Sequence, residues 1–141
     1  MLDKYLALSE AQAILNTGAS TSFIDTLAAG DAISPGARIR VRIATAYVDA
    51  GGGTIIAKLE TDTDSGFATV LKTLISGPTI TIAAGAATAA GAVGVVLLDA
   101  VIPSGAYRYL RVYYTFSAAM DSGAMDAHIV LDVAKTMDLI K

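Results

Sequence analysis

The stretch Tyr107 to Ser117, YRYLRVYYTFS, constrains the fold more than any other part of the chain. Arg108, Leu110, Val112, Tyr114 and Phe116 alternate with Tyr107, Tyr109, Arg111, Tyr113 and Thr115. A period of two separates two faces only in a β-strand. The residues are mostly aromatic or β-branched, types that lose side-chain freedom in a helix but pack well on a pleated surface. The segment is therefore predicted to be a long interior strand, with Leu110, Val112, Tyr114 and Phe116 turned to the core. Tyr109, Arg111 and Tyr113 then form an aromatic and cationic stripe on the opposite face. That stripe is too apolar for ordinary wet surface, so it is covered either by another chain or by long neighbouring loops; alternatively, its tyrosines only brace their cross-strand neighbours.

A second strand is predicted at Ala37 to Val48. Ile39, Val41 and Ile43 alternate with Arg38, Arg40 and Arg42, and a one-residue slip would bury three guanidinium groups. Three arginines in line suit a solvated face or an interface with acidic partner groups. A nucleic-acid surface is not expected, because the chain has only 10 Lys and Arg residues and a net charge of -3. Further strands are read at Phe23 to Leu27, Thr54 to Asp62, Ala68 to Leu74, Thr79 to Ala83, Ala92 to Val101 and Ala124 to Val133. Ala127, Ile129, Leu131 and Val133 face inward in the last, with His128 on the other side. Gly51 to Gly53 form a hairpin connection rather than a phosphate loop, since no helix follows them.

These about eight β segments, with no βαβ periodicity, predict an all-β fold of two packed antiparallel sheets, a β-sandwich. Alternation alone does not choose between jelly-roll, immunoglobulin-like and other Greek-key orders. The 141 residues suit one domain. It is divided into residues 1–19, an arm or short element packed on the domain, a sandwich at 20–133 and a tail at 134–141. In the arm, Leu8, Ala11, Ile14 and Leu15 recur at helical spacing with Ser9 as a possible cap. The preferred reading is an extended arm whose Gln12 to Leu15 joins a sheet edge.

No chemical site stands out. The chain has no cysteine, which removes disulfides, thiolate metal ligands and a cysteine nucleophile. Its one histidine lacks a second imidazole nearby for a metal, and no nucleophile elbow or carboxylate pair is evident. In Thr61 to Gly66, TDTDSG, Asp62 and Asp64 offer hard oxygen ligands, but a calcium loop needs more acidic groups in register. Turn closure by amide hydrogen bonds to Asp62 and Asp64 is the preferred reading. Neither an enzyme nor a cofactor is expected. The amino terminus lacks a secretory pattern, and Thr79 to Ile102 is too broken by glycine and Asp99 for a membrane span. An intracellular protein is expected, or one assembled inside a cell into something that later leaves.

LDKYLALSEAQAI with the following small-residue run and FIDTL, the LETDTDSGF turn, PSGAYRYLRVYYTFS and the closing AHIVLDV together resemble a family of tailed-phage capsid cement proteins. That family is related to the Bordetella-phage jelly-roll stabilisation protein, and the likeness covers Met1 to Val133. The resemblance implies a single eight-stranded jelly roll, a homotrimer and attachment to the outside of an icosahedral shell of phage major capsid protein, after assembly in the host cytoplasm. It brings no active-site residues. Candidate capsid or subunit contacts are Tyr5, Leu6 and Leu8 in the arm and Tyr107, Tyr109, Arg111 and Tyr113 in the strand, with the loop Gly85 to Gly91 and the tail as further contact material. A carbohydrate- or receptor-binding sandwich is the alternative, with Tyr107, Tyr109 and Tyr113 stacking on sugar rings.

Overall fold

The computed structural model describes residues 7–26, 36–85 and 88–130. Its strands are β1 (Ala7–Gln12), β2 (Gly18–Ala19), β3 (Ile24–Asp25), β4 (Arg38–Val48), β5 (Gly53–Asp62), β6 (Lys72–Ser76), β7 (Ile80–Ile82), β8 (Val96–Val101), β9 (Tyr109–Phe116) and β10 (Ser122–Val130). One sheet runs β1-β10-β4-β8 and the other β2-β9-β5-β6, with β3 also on β9 and β7 also on β5. All pairings are antiparallel. β2 and β3 share one strand position, and so do β6 and β7, which leaves eight positions ordered 1-8-3-6 and 2-7-4-5. That order is a jelly roll, whose two Greek keys wrap the chain between sheets so that each face finds a cover.

The alternation read from the sequence sets which side chains meet between the sheets. On β4 and β10, Ile39 lies opposite Ile129, Val41 opposite Ala127 and Ile43 opposite Met125. On β5 and β9, Leu59 lies opposite Val112 and Ala57 opposite Tyr114. All ten of these are buried, as are Ile55, Leu110 and Phe116. Leu131 and Val133, also assigned inward, lie outside the described residues.

Two tyrosine hydroxyls fasten the core at its edges. The Tyr47 hydroxyl donates to the Ile14 carbonyl at 2.8 Å. The Tyr114 hydroxyl lies 3.0 Å from Ser9 Oγ. Ser9 has one hydroxyl proton and donates it to Gln12 Oε1 at 2.7 Å, so Tyr114 donates to Ser9. Burial raises the pKa of both phenols, because a phenolate there would lose its hydration.

Several boundaries differ from the sequence reading, each for a local reason. The arm is extended from Ala7, but as a full strand on β10 rather than as a segment Gln12 to Leu15 on an edge. The sandwich therefore includes residues assigned to the arm. Helical spacing in this region comes from irregular pairing: the register shifts twice, and Ala11 has a φ of 44°. β9 begins at Tyr109 because the Tyr107 amide donates to Thr61 Oγ1 at 2.8 Å instead of joining a ladder. Residues 68–71 are loop, not strand, because the Thr69 and Val70 amides are turned toward Asp62. β8 begins at Val96, after a 3-10 turn at Ala89–Gly91 and Gly94 at a φ of 86°.

Candidate functional site

The outer face of β9 gathers the stripe that the sequence singled out. Tyr109, Arg111 and Tyr113 are each half-buried there. Arg111 donates to Glu60 Oε2 across the β9–β5 ladder at 2.8 Å, and the two side chains are only 17% and 8% exposed. The Arg111 guanidinium lies 4.4 Å from the Phe67 ring centre and 5.1 Å from that of Tyr113. A flat, weakly hydrated cation fits between rings where an ammonium would not. Phe23 meets Phe67 and Tyr109 edge-on, with centroid separations of 6.3 and 5.6 Å. Arg108 lies over Tyr109 at 5.0 Å while gripping both oxygens of Asp25 at 2.7 and 2.8 Å. Of the two covers expected for this face, the structure shows the chain's own loops: Phe67 from the β5–β6 connection and Phe23 from the β2–β3 connection.

Asp62 places Phe67. Its Oδ1 accepts the amides of Asp64 and Val70 at 3.1 and 3.0 Å, and its Oδ2 accepts that of Thr69 at 3.2 Å. Asp64 Oδ2 accepts the Gly66 amide at 3.1 Å, and the Asp64 carbonyl accepts that of Phe67 at 3.0 Å. The carboxylates thus close the turn, as the preferred sequence reading has it. Phe67 takes a φ of 54° in doing so, which tips its ring back over the sheet. Burial pushes the Asp62 carboxyl up, but the amides of Val70, Asp64, Thr69 and Thr63 outweigh it and hold the pKa below the ordinary 3.8.

A depressed folded value means that the unfolded chain takes up its proton first. The stability contributed by Asp62 is complete above the ordinary value of 3.8 and is lost as pH falls through the lower folded value. Asp62→Asn is expected to flatten the acid limb of the unfolding profile and to speed hydrogen exchange of the Thr69 and Val70 amides at neutral pH. An unchanged acid limb and unchanged exchange would show that the carboxylate does not hold the loop.

The top of this layer is apolar and open. Phe23, Val70 and Leu71 are 48%, 46% and 50% exposed, and they belong to one corner. Phe23 touches Tyr109, Tyr109 pairs with Asp62, and Asp62 holds the Val70 amide. Half-exposure of three large apolar side chains together, on a support as ordered as this one, marks a surface suited to a partner. None of the three was singled out from the sequence as a contact. The sequence pattern assigns Phe23 to Leu27 and Ala68 to Leu74 to strands, which hides the exposure of all three.

The other candidates are distributed differently. Tyr107 lies at the same end, with Lys72 Nζ 5.8 Å from its ring centre. Leu8 is fully buried in the chain's own core and is withdrawn as a capsid or subunit contact: β1 turns it inward between the sheets. Tyr5 and Leu6, and the tail 134–141, lie outside the described residues. In the small-residue loop, Gly91 is buried, and a Cβ there would stand 2.9 Å from the Tyr47 carbonyl. That part of the loop packs on the core.

On the opposite sheet, Arg38 and Arg40 share Asp99. Burial opposes the Asp99 charge, but hydrogen bonds from Arg38 and Arg40 prevail and keep its carboxyl below the usual range. No helix among the described residues is long and apolar enough to cross a membrane. No curated protein matches the chain. Residues 8–129, from the buried Leu8 of β1 to Ile129 of β10, match the family model Bbp16; with nearly the whole sandwich covered, the chain belongs to the Bbp16 family, whose name points to a Bordetella phage protein.

Proposed function

We propose that this protein is a structural component of a phage virion that binds the outside of the capsid as a homotrimer and cements neighbouring major capsid subunits, with no catalytic step. The observation that carries the reading is the open apolar corner of Phe23, Val70 and Leu71. Its support is the layer of Arg111, Glu60, Phe67, Tyr109 and Tyr113, in which the one buried charge pair, Arg111 with Glu60, is already matched within the chain. Such a corner gains from being covered by another protein surface, and little of its polarity must be stripped of water first. Membership of a phage protein family and the earlier resemblance to capsid cement proteins both favour a shell as that surface. A jelly roll holds its loops at fixed separations, and three linked copies let modest contacts add up to slow release. The homotrimer rests on the resemblance.

The carbohydrate reading is weaker. Sugar stacking needs open aromatic faces, yet Tyr107, Tyr109 and Tyr113 each already have a cation over the ring. The test uses shells lacking the native protein. Wild type is expected to bind them and raise their resistance to heat, and to sediment at three times the monomer mass with or without a chelator. Val70→Ser combined with Leu71→Glu should lower shell occupancy by at least about tenfold, the loss that follows when two half-buried apolar contacts are removed, while the unfolding transition of the free protein stays in place. Deletion of residues 2–6, which spares Leu8, tests Tyr5 and Leu6 in the same assay. Full occupancy by the double variant would overturn the role of the corner, and a variant that turns monomeric would assign it to the subunit contact instead. Failure of wild type to bind any shell would overturn cementing itself.

A further inference from the structure

The outer face of the β1-β10-β4-β8 sheet carries an unbalanced set of charges. Arg38, Arg40 and Arg42 project from β4 with side chains 43%, 48% and 52% exposed. Asp99 serves two of them: Arg38 Nε donates to Oδ1 at 2.8 Å, and Arg40 Nε and Nη2 donate to Oδ2 at 3.1 and 3.0 Å. Among the described residues the acid that pairs with the third is Asp126, and its Oδ1 is taken by the Ala11 amide at 2.6 Å, where β1 bulges. Its Oδ2 stands 3.6 Å from Arg42 Nε, too far for a hydrogen bond. The guanidinium fork of Arg42 thus keeps its N–H groups without a hydrogen bond among the described residues. Beside it is a depression of about 220 Å³ lined by Arg40, Arg42, His128 and Val130.

We propose that this depression receives one carboxylate of a protein partner, an Asp or Glu side chain. Arg42 takes it bidentately, the geometry for which a planar fork is suited. Arg40 adds positive charge and His128 a ring N–H, while Val130 forms an apolar wall for the side chain's methylene groups. Asp99 and Asp126 flank the depression and disfavour a doubly charged phosphate relative to a singly charged carboxylate. The volume suits one side chain rather than a polymer backbone. This face is separate from the apolar corner, and the inference does not rest on the capsid reading.

The chain has one histidine, so the imidazole proton resonances report His128 alone. At fixed pH and ionic strength, acetyl-Ala-Glu-Ala-amide is expected to shift them along a saturating curve, and acetyl-Ala-Gln-Ala-amide to leave them in place. Arg42→Ala should weaken the Glu peptide by about tenfold or more, as the loss of charge-assisted hydrogen bonds requires. Arg38→Ala, one charge removed but outside the lining, should change it by no more than about twofold. Both positions are exposed, and unchanged thermal unfolding would confirm intact variants. Non-saturating shifts, or shifts shared by the two peptides, would overturn the proposal. So would equal losses in the two variants, which would mean a diffuse field rather than a site. Tighter binding of inorganic phosphate than of the Glu peptide would overturn the choice of carboxylate.

Discussion

Leu110→Ala is expected to lower the free energy of unfolding by about 2–5 kcal/mol, the cost of lost transfer energy together with a cavity that cannot close. Leu110 is fully buried, and its row of the sheet is pinned on both sides. Ile24 pairs with it from β3 and Thr61 from β5. Thr61 cannot shift into the space, because its hydroxyl donates to the Tyr109 carbonyl and accepts the Tyr107 amide, both at 2.8 Å. With the walls held, the cost should fall in the upper half of the range. Reversible denaturant unfolding measures it, and a change below about 0.5 kcal/mol, the level of an ordinary surface substitution, would mean that Leu110 does not face the core.

Gly123→Ala is expected to be as damaging although it adds only a methyl group. Gly123 lies at a register shift in the β10–β4 pairing, with a φ of 146°. A Cβ there would overlap the Tyr47 ring, standing 2.5 Å from Cε1 and 2.6 Å from Cγ. The ring has nowhere to go, since Tyr47 is fully buried and its hydroxyl is held by the Ile14 carbonyl. Backbone strain and overpacking each contribute about 1–3 kcal/mol, so a total of at least about 3 kcal/mol is expected. Gly94→Ala separates the two effects: its φ is 86°, but nothing lies within 4 Å of the added Cβ. It should cost about 1 kcal/mol, the conformational part alone. A double-mutant cycle of Gly123→Ala with Tyr47→Leu should show a joint cost well below the sum, because the smaller side chain removes the overlap. Additive costs would show that the ring is not the obstacle.

The contrast between these residues shows what can be read from the chain alone. Leu110 was legible because period two assigns a face to every residue of a strand. The same rule placed Ile39, Val41 and Ile43 inward and the three arginines outward, as the structure has them. The Asp62 turn was legible too, since an aspartate in TDTDSG has amides within reach. Tyr47 against Gly123 was not: their contact joins residues far apart in the chain, and nothing local to GAM marks the approach of a ring.

The same limit applies to the candidate surfaces. Alternation put Tyr109, Arg111 and Tyr113 on one outer face and implied that something covers them. It did not reveal that Phe23 and Phe67 do so, because both come from loops whose paths depend on neighbouring strands. Leu8 was misjudged for a related reason. Its bulged strand breaks the period of two, so alternation assigns Leu8 no face even in an extended arm, and only pairing with β10 turns it into the core. The sequence by itself determined the long strands β4, β5, β9 and β10, their inward faces and the closure of one turn, because these depend on interactions within a few residues or on the pleat. Tertiary structure alone decided the jelly-roll order, the cover over Arg111, the open corner at Phe23, Val70 and Leu71, and the Arg42 fork that makes no hydrogen bond among the described residues. Each depends on which strand lies beside which, and a repeating pattern carries no information about its neighbour.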